Sequence, residues 1–218
     1  MLDPLHLNCN LFARNIEKSG EMGFCVINTP ASAILPYPRL YTSTILVQNM
    51  GCDMNPLPLP DQQHLNAAEG WLGLGDHLSA NEELEQITPK LRGHPLVLEV
   101  RNQIYAEAER WDWAIEIAQT MAKLMPDHPW GHFHLAFSLH ELKKTQEAYN
   151  TQRPVVDKFP EHALMRYNLA CYSCQLGNLK EVMQWLAKAI DLAGEADIRA
   201  QALDDADLEP LWAKIGEI

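Results

Sequence analysis

The chain repeats at intervals of 34 residues, and that period constrains its fold more than any other feature. Gly75, Glu109, Lys143 and Gly177 stand 34 apart. In the same register Ala80, Ala114 and Ala148 align, with Val182 as the fourth member. His94, His128 and His162 form another column, and Asp127, Glu161 and Glu195 stand together one column earlier. Leu84, Ala118 and Leu186 share a column that Gln152 interrupts, and Pro126 and Pro160 close two of the units. A fixed period of this length marks helical hairpins, each unable to bury its apolar face alone and therefore stacked on the next.

The composition narrows the partners. A formal net charge of -12, with no basic run, argues against nucleic acid and against an anionic membrane surface, both of which need clustered cations. Five cysteines at irregular spacing do not form a disulfide framework, which places the chain in the reducing cytoplasm. No apolar run reaches about 18 residues, the length of a spanning helix. The first residues show no basic stretch ahead of an apolar core, so no signal peptide is expected.

Two unlike segments meet near residue 54. Residues 1–53 carry a net charge of -1, and all six tryptophans lie beyond them. Phe24-Cys25-Val26-Ile27 and Ile45-Leu46-Val47 are short β-like runs separated by Pro30, Pro36 and Pro38, too short to form a stable sheet alone. Residues 1–53 are read either as a poorly structured extension or as sequence ahead of a natural start at Met54, with no function expected there in either case. Residues 54–60 form a proline-rich lead-in. Four repeats follow, at 61–94, 95–128, 129–162 and 163–196, and a cap at 197–218.

Each repeat is expected to hold two helices. In the fourth these are 164–175 and 179–191, joined by a turn at Leu176-Gly177-Asn178; Leu74-Gly75-Asp76 makes the same turn in the first. Glu109-Arg110 and Lys143-Lys144 replace it elsewhere, so that turn must accept residues with a Cβ. The small alanine column lets paired helices approach closely, and Pro126 and Pro160 are expected to end second helices. Pro154 should break the second helix of the third repeat. In the second repeat, Trp113, Ile117, Thr120, Met121 and Leu124 predict an amphipathic face. In the tail, Leu203, Leu208, Leu211, Trp212 and Ile215 are expected to cover the last repeat, with Asp204, Asp205 and Asp207 as N-cap candidates.

On Leu169-Ala170, Leu176-Gly177-Asn178, Ala189, the alanine column and Pro126 and Pro160, residues 61–196 resemble the tetratricopeptide-repeat family. The resemblance implies an all-α solenoid of about four helix-turn-helix repeats with a C-terminal capping helix, and a non-catalytic protein-binding role. The chain departs from the family pattern at Arg101-Asn102, where a Leu-Gly or Leu-Ala pair is usual, and at Gly194, where Pro is usual. The family's carboxylate clamp for chaperone C-termini needs cations and asparagines. Leu65, Glu69, Val100, Trp130 and His134 stand at those positions, which argues against a heat-shock co-chaperone.

In such a stack the first helix of each unit lines the concave face. The candidate ligand groove is Trp130, Phe133, His134, Phe137 and His140 from the third repeat, Tyr167 and Asn168 from the fourth, and Glu99, Gln103 and Glu107 from the second. This describes an aromatic and imidazole-rich floor beside an acidic wall, suited to a protein or peptide of basic character with apolar anchors. Self-association of the chain is the alternative, and an enzyme the least favoured reading. His132 and His134 point to different helix faces, so the His128–His140 segment predicts no metal site. Cys171 and Cys174 form a CxxC in mid-helix, read as small buried thiols. No phosphate-binding loop and no nucleophile motif is present, and no cofactor is expected.

Overall fold

The computed structural model describes residues 56–217, which fall within the unit Arg39–Ile218. Both readings of residues 1–53, and Met54 itself, lie outside the described residues. Ten α-helices are described: α1 (Leu59–Gly73), α2 (His77–Gln86), α3 (Pro95–Glu107), α4 (Trp111–Leu124), α5 (Pro129–Glu141), α6 (Thr145–Gln152), α7 (Ala163–Gln175), α8 (Leu179–Ala193), α9 (Glu195–Asp204) and α10 (Trp212–Gly216). Among the described residues there is no strand. The architecture is an all-α stack of four hairpins, α1/α2, α3/α4, α5/α6 and α7/α8, with α9, a 3-10 turn at Ala206–Leu211 and α10 packed on the last. Each of the second helices α2, α4 and α6 packs against its own first helix and against the first helix of the next hairpin.

One backbone device closes every hairpin. Gly75, Glu109, Lys143 and Gly177 all adopt the left-handed conformation, at φ 81°, 53°, 61° and 77°. At each, the residue's own N–H donates to the carbonyl three residues back, and the following N–H reaches five back. Gly75 N donates to Leu72 O and Asp76 N to Trp71 O, and the pattern recurs at Glu109/Arg110, Lys143/Lys144 and Gly177/Asn178. This double bond is the Schellman motif, which satisfies carbonyls that the helix end would leave orphaned. A side chain in this region costs roughly 1–2 kcal/mol, so Glu109 and Lys143 hold their conformation against their own preference.

The start of three first helices is equally regular. His94, His128 and His162 are N-caps, and the Nδ1 of each accepts a backbone N–H at 3.3 Å, from Leu96, Trp130 and Met165 respectively. The histidine column is therefore a capping column.

Packing departs from the sequence expectation in four places. In α4 the buried stripe is Ala114, Ala118 and Met121, while Trp113 is 44 % exposed and Thr120 and Leu124 also face solvent. Arg110 covers the Trp113 ring, its guanidinium carbon 3.6 Å from the centroid, and Tyr105 meets it edge-on; aromatic and cation contacts replace burial there. Helix α6 stops at Gln152, before Pro154, so Pro160 follows a 3-10 turn at Val156–Lys158 rather than ending a helix. Leu203 is exposed, and Leu208, Leu211 and Ile215 form the buried face of the cap. Gln152, which breaks an apolar column, is fully buried, and its amide donates to the Met165 carbonyl of α7. Asn102 likewise donates to Ala114 O at 2.8 Å; the side-chain amide nitrogens of both residues have partners, while Gln152 Oε1 is buried without one.

The buried apolar residues fall into three clusters. One joins the first two hairpins, a second joins the last two and the cap, and a small third one consists of Leu98, Met121, Met125 and Trp130. That small cluster bridges the second and third hairpins, and α5 comes closest to α4 there. A Cβ on Gly131 would lie 2.3 Å from the backbone nitrogen of Ala122.

Three stability outcomes follow. Glu109→Gly and Lys143→Gly should each stabilise the chain by about 0.5–1 kcal/mol, because relief of the left-handed strain exceeds the entropy cost of glycine. Gly75→Ala should destabilise it by about 1 kcal/mol. Gly131→Ala should destabilise by about 1–3 kcal/mol through overpacking against helix backbone. Urea unfolding of each variant, with the slope held constant, checks all of these.

Candidate functional site

The first helices place equivalent residues in rows. Leu65, Glu99, Phe133 and Tyr167 stand 34 apart on α1, α3, α5 and α7, and Glu69, Gln103, Phe137 and Cys171 form the row four residues later. Of the ten candidate groove residues, Glu99, Trp130, Phe133, His134, His140 and Tyr167 are buried. Gln103, Phe137 and Asn168 are half-buried and Glu107 is exposed.

The aromatic floor is a packed cluster. The ring of His134 lies 4.2 Å from that of Trp130 and 4.9 Å from that of Phe133, Phe133 stacks on Phe137 at 6.4 Å, and Phe137 also meets Trp111 of α4 edge-on at 5.9 Å. Trp130 belongs to the cluster that joins two hairpins. These side chains hold repeats together, so truncating Trp130 removes a junction as well as a groove wall. Burial holds His134 down at about 3 and His162 down at about 4, and lowers His128 as well. All three stay neutral, which the capping Nδ1 atoms of His128 and His162 require in order to accept.

His140 and Tyr167 are taken up by the chain's own C-terminal cap. The Tyr167 hydroxyl donates to Asp205 Oδ2 at 2.7 Å, and His140 Nε2 lies 2.7 Å from Asp207 Oδ2, with its Nδ1 3.0 Å from Thr145 Oγ1. Cys171 Sγ sits 3.5 Å from Asp205 Oδ2, Gln175 donates to Asp207 O, and Trp212 Nε1 donates to Asp205 O. Asp205 also caps the 3-10 turn by accepting the Asp207 amide at 2.9 Å. Asp205 and Asp207, read from sequence as capping and solvated-tail residues, form a latch across the inner ends of α5 and α7. No local signal announces a pairing across 67 residues.

Within that latch, ligand atoms of Cys171, Asp205 and Asp207 lie within 4.8 Å of one another, a spacing that admits a metal ion. The donor set fits one poorly. Burial pushes the Cys171 thiol well above its ordinary range, away from the thiolate a metal needs, and both carboxylates are committed to the hydrogen bonds above. Cys174 is raised by burial too, so neither thiol is an activated nucleophile.

Glu99 differs from its row. It is 1 % exposed, and neither carboxyl oxygen has a hydrogen-bond partner of proper geometry. The Trp130 indole lies near enough to favour the anion slightly, but burial, with Glu69 adding to it, dominates and pushes the carboxyl up to about 8.

The fold and the inner rows define an all-α helical-repeat protein of the tetratricopeptide type. No family model matches the chain, and no curated protein matches it. Solved structures do. The chain is similar to MamA, residues 41 to the end, from Desulfovibrio magneticus RS-1, at 18 % identity and TM-score 0.57, covering 74 % of this chain and 96 % of that one. It is also similar to a MamA structure described as MSR-1 C2, at 19 % identity and TM-score 0.53, covering 70 % and 86 %, and to a MamA RS-1 variant at 12 % identity and TM-score 0.55, covering 63 % and 77 %. At these identities the likeness shows a shared fold. Among the described residues no helix is long and apolar enough to cross a membrane.

The site generates a pH prediction. Glu99 is raised in the folded state, so its contribution is complete below the unfolded carboxylate range and is lost as pH rises through about 8. His134 and His162 are lowered, so their contribution is complete above about 6.5 and is lost as pH falls toward about 3 and about 4 respectively. Between pH 6.5 and 8 these histidines are neutral in both states, and the thermal midpoint should fall with rising pH. Glu99→Leu should flatten that slope, as measured by circular-dichroism melts across the window.

Proposed function

We propose that the chain is a non-catalytic scaffold that binds a protein or peptide along the inner rows of its first helices. The observation that carries this reading is the half-exposed strip of Gln103, Phe137 and Asn168 with exposed Glu107, set on rigid helices over a packed aromatic floor. Preorganised side chains lower the ordering cost of binding, and an aromatic anchor among polar residues is a recurring recognition pattern. The exposed carboxylate of Glu107 favours a ligand of basic character. Its titratable residues support the non-catalytic reading: buried thiols held protonated and histidines committed to caps and packing offer no nucleophile–base pair. The absence of a disulfide framework in the sequence supports a cytoplasmic setting.

Capture tests the reading. Full-length protein bearing Phe137→Ala, Gln103→Lys and Glu107→Lys should keep its helicity and lose the partners that the wild type retrieves from native lysate and releases in salt. The control is Gln119→Lys with Lys123→Glu on exposed positions of α4, which should retain them. Retention by the folded groove variant overturns the proposal.

Self-association is the second reading, favoured by the first hairpin, where Leu74 is 78 % and Leu78 70 % exposed, with Trp71 also exposed nearby. Apolar patches of this kind mark interaction surfaces. Light scattering should then show mass rising with concentration for the wild type and not for Leu74→Gln with Leu78→Gln.

A further inference from the structure

We propose that Glu99 is the receptor for one cationic side chain, a lysine ammonium or an arginine guanidinium, carried by the peptide that occupies the groove. This rests on the scaffold reading and names the ligand chemistry of that same site.

Three observations converge on it. The equivalent residues of the other hairpins, Leu65, Phe133 and Tyr167, are buried and large, and three apolar or aromatic members make a carboxyl in the fourth place anomalous. Both oxygens of that carboxyl are buried without a hydrogen bond of proper geometry, the Trp130 indole giving only a weak contact, a condition native structures rarely tolerate without a reason. No Lys or Arg side chain acts on it. Helices α2 and α4, which pack on α3, carry only His77 and the exposed Lys123 as cationic residues. Helices α1, α3 and α5 contain a single Lys or Arg between them, Arg101, and Arg101 reaches out to Glu85 Oε1 at 2.9 Å. The histidines of these helices are also committed. His64 pairs with Glu83, His132 Nε2 meets Pro126 O, His140 meets Asp207, and burial keeps His134 neutral.

The missing partner is therefore a positive charge from outside these helices. Glu69, close enough to act on Glu99 electrostatically, adds a second negative group. Binding balances simply. The carboxylic acid of Glu99 releases its proton to solvent, and the carboxylate pairs with the incoming cation. Because the acid is held up near 8, affinity for the cation should rise about tenfold per pH unit between 6 and 7.

The test uses full-length protein and three small probes at constant ionic strength: Nα-acetyl-lysine methylamide, Nα-acetyl-arginine methylamide and the uncharged Nα-acetyl-norleucine methylamide. The readout is the Trp130 indole N–H resonance, assigned by its loss in Trp130→Phe. The lysine or arginine probe should move it saturably and more tightly at pH 7 than at pH 6, norleucine should not, and Glu99→Gln should abolish the response. The lysine and arginine arms decide between ammonium and guanidinium. An equal response to norleucine, no response to any probe, or an unchanged response in Glu99→Gln overturns the proposal. Each of these leaves the scaffold reading to be judged by the capture experiment, which does not involve Glu99. Glu99→Leu, which restores the residue type of Leu65, guards against misfolding: it should raise the melting temperature while losing the cation response. A lower melting temperature would make the carboxyl a stabilising element and overturn the proposal.

Discussion

Everything in this chain hangs on a helix turning back on itself within a few residues, four times, in one geometry. A helix that ends in water leaves its last carbonyls to solvent, but here each ending must also aim the next helix down the flank of the first. The left-handed residue at positions 75, 109, 143 and 177 does both, closing two backbone bonds and reversing the chain. Two of the four are not glycine, so the constraint is strong enough to hold Glu109 and Lys143 in a conformation they disfavour. Tertiary packing supplies the force. Ala80, Ala114 and Ala148, each five residues beyond the turn, are fully buried, and they seat the second helix against the first only if the turn has this one shape.

The weight then falls on the junctions between hairpins. In a stack, each interface carries its own share of stability, and the second and third hairpins meet through a small cluster and a close backbone approach at Gly131. Trp130 sits next to that glycine and belongs to the same cluster, so the residue best suited by type to anchor a ligand is also a structural joint. The accessible part of the candidate groove is narrower than its row of aromatics suggests, and the proposed recognition surface reduces to Phe137, Gln103, Asn168 and Glu107.

The period was legible because turn, cap and small-residue columns are local requirements repeated at fixed intervals. Gly75 and Gly177 announce a left-handed turn, whereas Glu109 and Lys143 are found only by register. The histidine column was visible, but imidazole is an unusual cap, and only the geometry shows Nδ1 facing an amide. In α4, Trp113 and Leu124 at helical spacing point to the wrong face, since Arg110 and Tyr105 give Trp113 an exposed resting place and the alanines take the interior. The latch was not legible at all. Asp205 and Asp207 look like ordinary tail acids, and their meeting with Tyr167 and His140 depends on how the cap folds over the last hairpin.

The latch and Glu99 together give the groove a direction. Where the third and fourth hairpins meet the cap, the chain's own carboxylates occupy His140 and Tyr167, so polar groups there are satisfied. At the second hairpin the reverse holds: a carboxyl is buried without a hydrogen bond of proper geometry, and Arg101 of its own helix pairs with Glu85 instead. Satisfied polar groups contribute specificity to the fold, while unsatisfied ones cost stability unless something else answers them. The groove proposed above therefore has inequivalent ends, with a buried carboxyl on α3 and an apolar anchor at Phe137 of α5. An extended ligand bound as proposed would be held in one orientation, because reversing it would bring its cation to a hydrogen-bonded latch and leave Glu99 unanswered.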